Sequence, residues 1–201
     1  MNSLDFGSSL PSSGTNYLRA KQKGDTVNFR IAQNPVYSGK HFSQSATGWD
    51  ITSCPRINNQ EECDTCELFF AGIAESKKLK ESDPEKAKQV KKEADKNSVS
   101  IAFYFPILNR DTKQFNILQV TQGVRNKINA AYEAGTKVID KDWVLRNTGS
   151  ANPGEVYFIQ PIDSADTKPL DAEDKAEYKK AKEFDMDSLS DGSSNSDEIE
   201  E

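Results

Sequence analysis

The only histidine of this chain and all three of its cysteines fall between residues 41 and 66, as His41, Cys54, Cys63 and Cys66. The spacing is H-x12-C-x8-C-x2-C, closing in Glu62-Cys63-Asp64-Thr65-Cys66. Three thiolates and one neutral imidazole make a complete tetrahedral shell for zinc, and a C-x2-C knuckle lets two sulfurs reach one ion from a single turn. With four protein ligands no position is open to water, so the ion is expected to hold structure and not to perform chemistry. A disulfide with a spare thiol is the other reading, and a redox C-x2-C pair a third. The odd cysteine count argues against a disulfide framework, and the redox pair lacks a βαβ setting.

Charge is unevenly placed along the chain. The 201 residues carry a net charge of -6, but from Asp171 onward there are 12 acidic and 4 basic residues, leaving 20 acidic and 22 basic residues ahead of them. A slightly basic body therefore carries an acidic tail, and the overall charge describes neither part. No apolar run of membrane-spanning length occurs, and the first residues lack the basic start and apolar stretch of a secretory signal; a cytoplasmic protein is expected. One histidine excludes Ser-His-Asp and Cys-His machinery beyond the metal set, and no phosphate-binding G-x-x-x-x-G-K-[ST] loop is present, so no enzyme is expected.

Strand alternation opens at Thr26–Ile31, with Val27, Phe29 and Ile31 on one face. A second extended segment, Tyr37 to Trp49, carries His41. After the knuckle, Leu68, Phe69, Ile73 and Ala74 recur at helical spacing, and residues 75–97 are mostly Lys, Glu, Ala, Asp and Ser with an Asp83-Pro84 helix start. That insertion reads either as a solvated hairpin or as a wall of cations, Lys86, Lys88, Lys91 and Lys92. Ser98 to Leu108 and Gln114 to Val120 form a predicted hairpin, with Val99, Ile101, Phe103, Phe105 and Ile107 inward. Tyr104 is expected to be accessible between the small residues Ser100 and Ala102. A helix over Thr121–Ala134 precedes two last strands, Asp142–Arg146 and Val156–Pro161. Asp171 to Phe184 can be helical, whereas the remainder is expected to be disordered.

This order of elements predicts a mainly β fold with inserted helices: an OB-fold five-stranded barrel with a small zinc-binding subdomain and a charged helical insertion. The His, Cys and close Cys-pair order resembles the zinc subdomain of the T4-type phage single-stranded DNA-binding protein, a helix-destabilising OB-fold protein. The strand V-x-F-R-I-x-x-x-P ahead of His41 and the segment Arg125-Asn126-Lys127-Ile128-Asn129-Ala130 are similar to that family's, so the resemblance covers about Tyr17 to Ile162. It implies an arm over residues 1–16, a DNA-binding domain over 17–165 with the zinc subdomain at about 41–74 and the insertion at about 75–97, and an acidic tail over 166–201.

The function implied is sequence-independent coating of single-stranded DNA during phage replication, recombination and repair, with one structural Zn2+. Phosphate candidates are Arg30, Lys40, Arg110, Lys113, Arg125, Lys127 and Arg146; stacking candidates are Tyr37, Trp49, Tyr104 and Trp143. The tail would recruit replication and recombination proteins through Phe184, Met186, Leu189 and Ile199, and would compete with DNA; on composition alone it is equally a solubilising segment. The family's basic N-terminal cluster is missing, which leaves self-association on DNA open. A zinc-stabilised adaptor or an acidic DNA mimic is the alternative function.

Overall fold

The structure is a computed structural model that describes residues 17–45, 48–152, 154–163 and 165–186. It is a mixed α/β protein. In chain order the described elements are β1 (Tyr17–Leu18), β2 (Thr26–Ile31), β3 (Val36–Ser45), β4 (Gly48–Ser53), α1 (Pro55–Asn58), α2 (Asp64–Leu79), α3 (Pro84–Asp95), β5 (Val99–Asn109), β6 (Gln114–Thr121), α4 (Gln122–Glu133), β7 (Asp142–Asn147), β8 (Tyr157–Pro161) and α5 (Ala172–Glu183). The chain folds as two compact units, one of the described residues up to Val36 and from Ala102 on, the other Tyr37–Ile101.

In the first unit β2 is central. It pairs antiparallel with β5 on one side and with β7 on the other. Antiparallel pairings of β5 with β6 and of β7 with β8 extend the sheet, and β1 joins β6 in parallel, so the strands run β1-β6-β5-β2-β7-β8. Among the described residues the path is open, and the edge of β6 carries Tyr17 and Leu18 of β1. Helix content corrects "mainly β", because five helices accompany the eight strands among the described residues.

Alternation decides what the sheet buries. Val27, Phe29 and Ile31 of β2 point one way, with Phe105, Ile107, Leu118, Val120, Trp143 and Leu145 beside them, and Val124 and Ile128 of α4 complete this core. Each such side chain contributes roughly 1.5–3 kcal/mol by leaving water. The buried Trp143 indole keeps its N–H satisfied by donating to the Val138 carbonyl at 3.2 Å.

Part of the opposite face of the sheet, over β2, β5 and β6, is covered by α5. Tyr178 and Ala181 pack on Ala32 and Leu108, with Phe115 and Leu170 alongside. Polar contacts fix the helix along its length. Asp171 and Asp174 form a reciprocal capping box at its start, satisfying amide groups that no helical carbonyl reaches. The Tyr178 hydroxyl lies 2.9 Å from the Ile31 carbonyl and 2.7 Å from Asp140, Glu177 accepts from the Phe115 amide, and Gln33 donates to the carbonyls of Ala181 and Phe184 at the C-terminal end. Helix α5 lies within the stretch assigned to the tail from residue 166, so the folded body extends to it. Its charges match those of the sheet: Arg110 binds Asp174 at 2.7 Å, Lys113 binds Asp171 at 2.6 Å, and Lys182 binds Asp140 at 2.7 Å.

Asp140 makes this docking pH-dependent. Burial pushes its carboxyl up, but hydrogen bonds from Lys182, Tyr178 and Lys137, with the Lys182 charge, outweigh burial and bring it down to about 2. A carboxylate depressed in the folded state contributes stability that is complete above its unfolded value of about 3.9 and is lost as pH falls through the folded value. Glu177 and Asp171 are shifted in the same direction, by Lys180 and Lys113 respectively. We expect stability to fall between about pH 4 and pH 2, and Asp140→Asn to flatten that part of the profile. Urea unfolding at a series of pH values measures both; an unchanged slope in the variant would assign the acid sensitivity elsewhere.

Candidate functional site

In the second unit β3 and β4 form a hairpin that places His41 opposite Thr52. Its alternation puts His41 and Gly39 on one face and Lys40 and Phe42 on the other. The chain then turns at Cys54, the residue before α1, and at Cys63, the residue before α2; Cys66 sits in the first turn of α2. The Cys66 amide, in the first turn of α2, is directed at the Cys63 sulfur.

The four ligand atoms lie within 4.8 Å of one another, and all four residues are buried. Cys54 Sγ is 3.9 Å from Cys63 Sγ and 3.5 Å from Cys66 Sγ, while His41 Nε2 is 3.3 Å from Cys63 Sγ and 3.6 Å from Cys66 Sγ. A tetrahedron with metal–sulfur bonds of about 2.3 Å and a metal–nitrogen bond of about 2.0–2.1 Å has edges of about 3.8 Å between sulfurs and about 3.6 Å from nitrogen to sulfur. The observed separations match that figure, and a disulfide, with sulfurs about 2.05 Å apart, would need the pairs to close further. The residues therefore fit one tetrahedral metal ion with no open position.

Surrounding groups orient these ligands. His41 Nδ1 is 3.2 Å from the Asn97 carbonyl, a partner that places the proton on Nδ1 and leaves Nε2 to bind metal. Asn58 clamps the hairpin, accepting from the Gly39 amide at 2.8 Å and donating to the Gly39 carbonyl at 3.1 Å, and the Cys54 amide donates to that same carbonyl at 2.9 Å. Gly39 has no room for a side chain, since a Cβ there would come within 2.6 Å of Ile57. Burial, with hydrogen bonds to Cys54 and Cys63, pushes the Cys66 thiol up to about 12. Cys63 moves the other way despite burial, to about 7, drawn down by the Cys66 amide and by His41. Three thiolates packed this closely repel one another, and a divalent cation removes that repulsion.

Beside the metal set, α2 and α3 pack as an antiparallel pair through Ala87 and Ala94, with Ser76 Oγ donating to the Ala87 carbonyl at 2.8 Å. The α3 lysines are exposed, and two are engaged along the helix, Lys88 with Glu85 and Lys91 with Asp95. Tyr37 is exposed on β3. Lys40 is half-buried on the outward face of the hairpin. Trp49 lies in β4, with its side chain outside the described residues. Phe42, which the sequence reading missed, is 40% exposed on the same face as Lys40, and strand alternation from His41 was the signal that could have found it.

In the first unit the proposed cations have different fates. Arg30 and Arg110 lie in a buried network, Arg30 binding Asp142 at 2.5 Å and Arg110 binding Asp142 at 3.4 Å and Asp174 at 2.7 Å. Lys113 sits at the hairpin turn with φ 59° and binds Asp171, a contact that raises its pKa. Lys127 donates to the carbonyls of Gly154 and Tyr157, tying α4 to the last strand. Arg125 stacks over the Phe103 ring at 5.6 Å. Arg146 is exposed, with no acidic partner among the described residues.

The aromatic candidates there are buried. Trp143 is in the core, and Tyr104 is only 7% exposed, which corrects the expectation of an accessible ring. The cause is β1: its pairing with β6 brings the Tyr17 ring edge-on to Tyr104 at 5.8 Å. Burial next to Tyr104 pushes the Tyr17 hydroxyl up to about 12. Phe184 packs on Phe115 at 5.1 Å, and Met186 is half-buried. Leu189 and Ile199, like the arm over residues 1–16, lie outside the described residues. No protein-family model matches the chain, and no curated protein matches it.

Proposed function

We propose that the protein binds single-stranded DNA, and that the metal of the Cys3His set is zinc in a purely structural role. The observation that carries this reading is topological. Read as β2, β5, β6, β7 and β8, the strands lie in the spatial order third, second, first, fourth, fifth, with α4 between the third and fourth. That is the order of an OB sheet before closure, and the metal unit occupies the connection between its first two strands. The arrangement supports the resemblance to the T4-type phage proteins, where zinc, OB strands and single-stranded DNA belong together. Such a protein coats strands exposed in replication, recombination and repair, and an acidic tail of this composition would recruit replication proteins and compete with DNA for the body. Cys3His is a ligand set that suits zinc over harder ions.

The test is an oligonucleotide titration. Binding is expected to favour single strands over duplex and to weaken with salt, with a logarithmic slope of about -0.7 per phosphate neutralised. Equal affinity for both forms would reject the reading. A zinc-stabilised adaptor is the second reading, favoured by Leu68 and Phe70, which are 61% and 49% exposed on α2. No helix among the described residues is long and apolar enough to cross a membrane.

A further inference from the structure

Within the sheet unit most cations already have partners. Arg30, Arg110, Lys113, Lys137, Lys179, Lys180 and Lys182 all bind carboxylates, Lys127 holds carbonyl groups, and Arg19 holds Gln119. Among the described residues no such partner is found for Arg146, nor for Lys23, whose aliphatic stem lies against Gly149 so closely that a Cβ there would come within 2.5 Å of it. Both belong to one corner of the sheet. Arg146 stands between Thr26 of β2 and Phe158 of β8 in register, and the amide of Gly24, next to Lys23, donates to the Asn147 carbonyl at 2.8 Å.

Phe158 is the unusual member of this corner. Its neighbours Tyr157 and Ile159 pack against the core, so alternation turns Phe158 to the outer face, where it is 45% exposed. An aromatic ring of this size in water forgoes burial that β-strand residues ordinarily gain. The residue directly opposite is Arg146, and directly opposed side chains have Cβ atoms about 4.5–5.5 Å apart. Gln160 follows two residues along the same face and is exposed, and Thr26 is exposed on the far side of Arg146. The carboxylates of Asp111, Asp25 and Glu155 accept hydrogen bonds from Asn28, the Gln22 amide and Ser150.

We propose that the outer face of β7 and β8 is a nucleotide-binding platform for single-stranded nucleic acid, with one base stacked on Phe158 and the adjoining phosphates held by Arg146 and Lys23. This rests on the function proposed above and assigns it a place that none of the buried candidates provides. An exposed ring beside a guanidinium that has no acidic partner among the described residues matches the two faces of a nucleotide, a flat π-surface and an anion, and it requires no particular base. A peptide strand added along β8 would use the backbone edge instead and would not depend on the Phe158 ring.

The test uses the full chain and a labelled oligothymidylate. Phe158→Ala is expected to weaken binding about tenfold, and Arg146→Gln to reduce the salt slope by about 0.7. Phe158→Trp should retain affinity and show fluorescence quenching on DNA. Halogenated-uracil oligonucleotides should cross-link wild-type protein within Tyr157–Pro161, a readout that does not depend on any variant folding. If wild-type protein binds single strands but Phe158→Ala and Arg146→Gln match it in affinity and slope, or cross-links map elsewhere, the platform is wrong while the function stands. If wild-type protein binds no single-stranded DNA, both are wrong.

Discussion

Cys66→Ser protein is expected to lose its bound metal and, with it, the fold of residues 37–101. The argument is one of linkage. A preformed site does not exist in the unfolded chain, so metal-binding free energy appears as folding free energy, about 10–16 kcal/mol for structural zinc in small domains. Cys66 lies 3.5 Å from Cys54 Sγ and 3.6 Å from His41 Nε2, and it sits in the first turn of α2, so its loss opens the shell and removes the anchor of that helix. Metal analysis by mass spectrometry should fall from about one ion per chain to none, with loss of the helical circular-dichroism signal of α2 and α3. His41→Ala should be milder, because water can enter as the fourth ligand of three remaining thiolates. Helix content that survives excess chelator would show that packing, and not metal, holds this unit.

Asp142→Ala is expected to cost the sheet unit about 3–5 kcal/mol, the usual penalty for leaving a buried ion network without one partner. Asp142 serves two guanidiniums, Arg30 at 2.5 Å and Arg110 at 3.4 Å, whose side chains are only 13% and 11% exposed. Without it Arg30 keeps, among the described residues, the Tyr178 ring at 6.0 Å, and Arg110 relies on Asp174 and the Lys168 carbonyl. Exposed pairs such as Lys96 with Glu93 offer the contrast, since losing one typically changes stability by about 0–1 kcal/mol. Urea unfolding of Asp142→Ala and Glu93→Ala, compared at constant denaturant slope, measures the difference. A cost under about 1 kcal/mol for Asp142→Ala would mean that water reaches the network and screens it.

Whatever depended on local spacing was legible in the chain before any fold was known. The metal set could be read because ligand type and interval are properties of the chain: His41, Cys54, Cys63 and Cys66 meet at the separations their chemistry requires. Strands β2, β5, β6, β7 and β8 and helix α4 were legible from periods of two and 3.6. Tertiary structure decided which charges and rings remain available, because that depends on partners far away in the chain. Nothing around Arg30 announces Asp142, and nothing around Arg110 announces Asp174; those pairings appear only when β7 and α5 reach the sheet. Tyr104 reads as accessible from its own strand and is covered by Tyr17, supplied by a two-residue strand too short to leave a pattern. Helix α5 reads as part of an acidic tail because three buried residues, Asp174, Tyr178 and Ala181, anchor an otherwise charged helix. Composition averages over such anchors, and burial depends on them individually.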